Sequence, residues 1–87
     1  MSTEKLHQDL ERLRRELAGL APQDEAVRLR IERLIAEIES NLEAADPHRR
    51  RSLKEAATEA VEHFEASHPR ATAILNDIMV TLSNLGI

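Results

Sequence analysis

The chain has no cysteine, tryptophan or tyrosine, only two glycines, three prolines and one phenylalanine in 87 residues. Without cysteine there is no disulfide framework, no thiolate metal site and no cysteine nucleophile. With Gly19 and Gly86 as the only glycines, neither a dinucleotide fingerprint nor a Walker phosphate loop can be written. Phe64 is the only aromatic residue, so Leu, Ile, Val and Ala must supply the core, and no row of rings exists on which nucleic-acid bases could stack. A membrane span of about 20 mostly apolar residues is also missing. The best candidate, residues 71–87, is broken by Asn76, Asp77, Thr81, Ser83 and Asn84. The charged start, Met1 to Lys5, argues against a secretory signal, and a cytoplasmic location with no membrane partner is expected. Acidic groups outnumber basic ones 16 to 12, a net charge of −4 that opposes a general attraction to phosphate backbones.

What is present is helical periodicity. Leu6, Leu10, Leu13, Leu17 and Leu20 alternate steps of four and three, with Glu, Arg and Asp outside the seam. The seam lasts about two heptads, which suits a bundle helix better than an extended coiled coil. Gly19 predicts a left-handed stop, and Pro22 a restart. The second stripe is Val27, Ile31, Leu34, Ile35, Ile38 and Leu42, opened by Gln23, Asp24 and Glu25. Arg28 with Glu32 and Arg33 with Glu37 stand four apart on its outer face. The third segment could start at Asp46 with Pro47 as its first helical residue, or at Ser52, where Ser52 to Glu55 has the capping-box pattern. Ser52 is preferred, because an earlier start puts Arg49, Arg50 and Arg51 at the positive end of the helix dipole. Its stripe is Leu53, Ala56, Ala57, Ala60, Val61 and Phe64. Pro69 restarts the chain after Ser67 and His68, either of which could cap the last helix.

That last segment is the anomaly. In a chain that is 32% Asp, Glu, Lys and Arg, residues 71–87 carry one charged side chain, Asp77. Ala71, Ile74, Leu75, Ile78, Leu82 and Leu85 form one stripe, while Ala73, Val80 and Ile87 lie on the opposite side. A helix apolar on both sides needs more than one neighbour, so this segment is expected to be innermost, with Ala73, Val80 and Ile87 as a self-association contact.

Chemistry is sparse. Glu4-Lys5-Leu6-His7 and Glu65-Ala66-Ser67-His68 each hold the Glu-X-X-His spacing of di-iron bundles, but both lie at helix ends and outside the apolar stripes. Glu55, Glu59 and His63 read as a solvated row. Ser52 and Ser67 have capping roles and no accompanying base and orienter, so no catalytic, cofactor or metal residue is expected, and the chain is read as a non-enzyme. His48-Arg49-Arg50-Arg51 supplies the one concentrated basic run, and Arg14, Arg15, Arg28, Arg30 and Arg33 add basic positions elsewhere. Nucleic-acid binding through Arg49, Arg50 and Arg51 is therefore the alternative function.

The string His63-Phe64-Glu65-Ala66-Ser67-His68-Pro69, followed by an apolar helix ending Asn84-Leu85-Gly86-Ile87, resembles the family known as domain of unknown function 4404. The start, Lys5-Leu6-His7-Gln8-Asp9-Leu10, extends the resemblance over the whole chain. It implies a small helical bacterial protein and carries no activity onto any residue. The expected architecture is all-α and bundle-like, one domain over residues 1–87. Helices at 3–18, 22–44, 52–66 and 69–85 form two hairpins, 3–44 and 52–87, joined by a linker at 45–51. With so thin a core, a homo-oligomer is expected, a dimer first, acting as a non-enzymatic interaction module with a further protein partner.

Overall fold

A computed structural model describes residues 2–42 and 47–86. They form α1 (Ser2–Ala18), a 3-10 turn (Pro22–Asp24), α2 (Glu25–Asn41), α3 (Pro47–Phe64) and α4 (Pro69–Asn84), with no strand among the described residues. Around the bundle, α1 packs on α4, α4 on α3, and α3 on α2, while α2 touches α1 lightly and closes the ring. Helices α1 and α4 run antiparallel, since Asp9 meets Thr81 and Arg12 meets Asp77. The radius of gyration, 12.3 Å, is close to the roughly 12 Å expected of one compact chain this long. The chain exposes 5520 Å², so about 60% of the unfolded surface is buried, the modest fraction that small domains reach.

The apolar stripes meet in the middle as their spacing requires. Leu6, Leu10, Leu13 and Leu17 of α1 join Ile31, Leu34, Ile35 and Ile38 of α2, then Leu53, Ala57, Ala60, Val61 and Phe64 of α3. Helix α4 contributes Ala71, Ile74, Leu75, Ile78 and Leu82. Phe64 closes one end, and the Arg30 guanidinium lies 5.5 Å above its ring, a cation–π contact that also shields the ring from water.

Several expectations are corrected. Helix α3 starts at Pro47, so residues 47–51 of the expected linker are helical, while residues 45 and 46 lie outside the described residues. Proline's fixed φ suits a first helical turn, and the exposed Arg49 and Arg51 keep their charge in water, which weakens the dipole penalty. Ser52 is consequently interior to the helix, its hydroxyl donating to the His48 carbonyl at 2.9 Å. Gly19 does not adopt a positive φ. The end of α1 tightens instead through i to i−3 bonds from Gly19 to Glu16 and from Leu20 to Leu17. Gly86 does take φ +88°, ending α4 as its lack of a side chain allows.

Helix α4 buries more of the described residues than any other helix, yet it stands in the ring and not at its centre: its backbone packs on α1 and α3 and does not approach that of α2. Ala73 and Val80 are exposed, Val80 at 60%, so a single chain leaves the back of α4 uncovered. Of the two charge pairs expected on α2, Arg28 with Glu32 forms at 2.9 Å. Arg28 also binds Glu25, and these carboxylates raise its pKa, the Glu25 hydrogen bond most. Arg33 makes no ion pair with Glu37 among the described residues.

Candidate functional site

Burial singles out one charged residue. Asp9 is fully buried on α1, between Leu6 and Leu13, and not on the outer surface where the leucine seam alone would leave it. Its Oδ1 accepts from Lys5 at 2.8 Å and from Arg12 at 3.2 Å, and its Oδ2 lies 3.2 Å from the Thr81 hydroxyl. Arg12 continues to Asp77 at 3.3 Å, so the network spans the α1–α4 seam. Burying a carboxylate is tolerable because its lone pairs are met by charged donors whose heads reach solvent. One signal was available in the sequence: Asp9 is three residues after Leu6 and four before Leu13, which puts it on the edge of the stripe. Thr81 holds the matching place on α4. The network joins two helices and fixes how α1 and α4 sit against each other.

A second cluster ties the α3–α4 corner to the start of α2. The His68 ring lies between Ser67, with Oγ 2.9 Å from Nδ1, and Asp24, with Oδ1 3.5 Å from Nε2. Ser, His and Asp in this order resemble a nucleophilic triad, but Ser67 is exposed and lacks the dry, preorganised surroundings on which such catalysis relies. Neither Ser67 nor His68 caps α4 through its side chain. Thr72 instead sets its hydroxyl 3.2 Å from the His68 carbonyl and 3.1 Å from that of Pro69, inside the first turn. His63 and His68 both approach Phe64 edge to face, centroids 4.7 and 6.1 Å away.

The Glu-X-X-His pairs are far apart. Glu4 and His7 stand at the start of α1, beside the end of α4, whereas Glu65 and His68 precede its start, a separation of about 24 Å along 16 helical residues. No three His, Asp or Glu side chains converge on a metal-sized site among the described residues. Arg49 and Arg51 are exposed in the first turns of α3. Because they are two residues apart, they project about 200° apart around the helix and do not form one patch. Arg50 belongs to the same helix, and its side chain lies outside the described set.

The surface left over is the outer side of α3 and α4. On α4, Ala73, Asn76, Val80, Ser83 and Asn84 are exposed beside two charges, Arg70 and Asp77. Ile87, the third residue expected there, lies outside the described residues. Along α3 runs a shallow depression of about 410 Å³ lined by Arg51, Lys54, Glu55, Thr58, Glu59 and Glu62. Thr58 sits 4.0 Å from the sulfur of Met79, so the two helices present one continuous face. No helix among the described residues is long and apolar enough to cross a membrane.

A family model described as "Domain of unknown function (DUF4404)" matches residues 6–87. The chain belongs to that family, as its Phe-Glu-Ala-Ser-His-Pro string and Leu-Gly-Ile end suggested. Comparison with curated proteins and with solved structures gives no match.

Proposed function

We propose that this protein is a non-enzymatic self-association and protein-interaction module of the bacterial cytoplasm. Val80 carries the proposal: it is 60% exposed on a helix whose exposed face holds only Arg70 and Asp77 as charges, in a chain that coats its other surfaces with Lys, Arg, Asp and Glu. An exposed apolar side chain ringed by Asn76, Ser83 and Asn84 suits burial between chains better than permanent exposure. A thin aliphatic core adds reason to associate, because burial between subunits stabilises each of them. Sedimentation equilibrium on the wild-type chain from micromolar to millimolar concentration tests this. A concentration-dependent dimer is expected, and a folded monomer throughout would refute it.

A further inference from the structure

The outer stripe of α3 has a symmetry that folding of one chain does not require. Arg51, Lys54, Thr58, Glu62 and Glu65 follow at steps of three, four, four and three, which keeps them on one helix face. Glu65 lies just beyond α3, but its N–H still donates to the Val61 carbonyl at 2.9 Å, so it stays on the spiral. Thr58 is half-buried and the other four are exposed. Along these five positions the spacing from Thr58 is the same in both directions while the charge reverses, cations before and carboxylates after, and exposed Glu55 and Glu59 border the stripe on one side. Such a stripe complements itself when turned end for end, the condition for an isologous two-fold contact.

Lys5, Arg12, Arg14 and Arg28 all form ion pairs. Among the described residues the charges of this stripe, Arg51, Lys54, Glu62 and Glu65, make no ion pair. They also oppose the dipole of their own helix, cations toward its N-terminal end and carboxylates at its C-terminal end. An antiparallel helix carrying the same stripe would answer both defects.

The apolar residues fall at the right height. Because Thr58 touches Met79, the centre of symmetry on α3 is level with half-buried Met79 and exposed Val80 on α4. Exposed Asn76 and Ser83 flank that pair. An apolar centre with a polar, charge-matched rim is the anatomy of a specific interface.

Resting on the self-association reading above, we propose that a second copy of this chain docks on the α3–α4 face about a two-fold axis through Thr58. The two α3 helices run antiparallel, Lys54 of each copy meeting Glu62 of the other and Arg51 meeting Glu65. Met79 and Val80 of the two copies come together beside the axis, with Asn76 opposite Ser83. The face is about 20 Å long and two helices wide, roughly 400 Å² per copy. That is the low end of specific interfaces, so the dimer is weak and loosened by salt.

Charge-reversal pairs test the register by sedimentation equilibrium at low salt, with circular dichroism confirming that each variant folds. Arg51→Glu with Lys54→Glu makes the stripe wholly acidic, and Glu62→Lys with Glu65→Lys makes it wholly basic. Each alone should dimerise at least tenfold more weakly than wild type. An equimolar mixture of the two should associate again, as should a chain carrying all four substitutions. If the wild type dimerises and the pairs leave its dissociation constant unchanged, this face is not the contact, although self-association stands. If the pairs weaken the dimer but neither the mixture nor the fourfold variant restores it, the antiparallel register is wrong. A wild type that stays monomeric at millimolar concentration overturns both this proposal and the reading beneath it.

Discussion

Thr81 holds its hydroxyl 3.2 Å from the carboxylate of Asp9, across the seam between the last helix and the first and 72 residues away in sequence. Both residues are buried, and the same hydroxyl lies 3.1 Å from the Asp77 carbonyl. Asp9→Ala should destabilise the fold by about 1–3 kcal/mol, because Thr81, Lys5 and Arg12 lose a charged acceptor at once. Asp9→Leu should cost less or stabilise, since both cations can turn to water and Thr81 keeps its backbone acceptor. Urea denaturation of the two variants measures the difference, and equal losses would contradict a polar role for the network.

Val80→Asp separates association from folding. The exposed site predicts a stability change within about 0.5 kcal/mol, together with loss of the concentration-dependent dimer. Chemical denaturation and sedimentation on the same preparation check the two halves. A large loss of stability in the monomer would mean that the back of α4 is covered within the chain.

Ser52→Ala distinguishes a helix interior from a cap. A capping serine costs about 1 kcal/mol when removed. Ser52 bonds back to His48 inside α3, so alanine should leave stability unchanged or raise it by a few tenths of a kcal/mol. Thermal denaturation decides between the two.

Leu75→Ala probes the thin core. Leu75 is fully buried on α4, and its truncation should cost about 2–5 kcal/mol. A domain of this size has a total stability of roughly 4–13 kcal/mol, so the variant should melt far lower or fail to fold. Arg30→Ala should cost only about 0.5–1 kcal/mol through its loss over Phe64.

The helices were legible wherever a stripe of large aliphatic residues was unambiguous, as in Leu6 to Leu17 and Ile31 to Ile38. Misreadings came where two local rules competed. At Ser52 the capping pattern outweighed Pro47, because an arginine run at a helix start looks costly until its side chains are known to be in water. At Asp9 a seam of leucines hid a carboxylate that shares their face, since its charged partners on α1 and Thr81 on α4 make burial tolerable. The α3–α4 face was legible only by half. Ala73 and Val80 stood out by contrast with their charged surroundings, whereas the stripe from Arg51 to Glu65 reads as ordinary solvated charge until Pro47 sets α3 in place and Thr58 is found against Met79.

The sequence by itself determined the class of the fold and most residues of its core, because helical periodicity, a single aromatic, and the absence of cysteines and glycine-rich loops leave few other ways to bury this chain. Tertiary structure alone decided which helix is whose neighbour, and therefore which faces stay open. Periodicity specifies the direction a side chain takes from its own axis, but not what stands opposite. Placing α4 between α1 and α3 buried Asp9 against Thr81 and left Val80 in water beside a self-complementary stripe of charge.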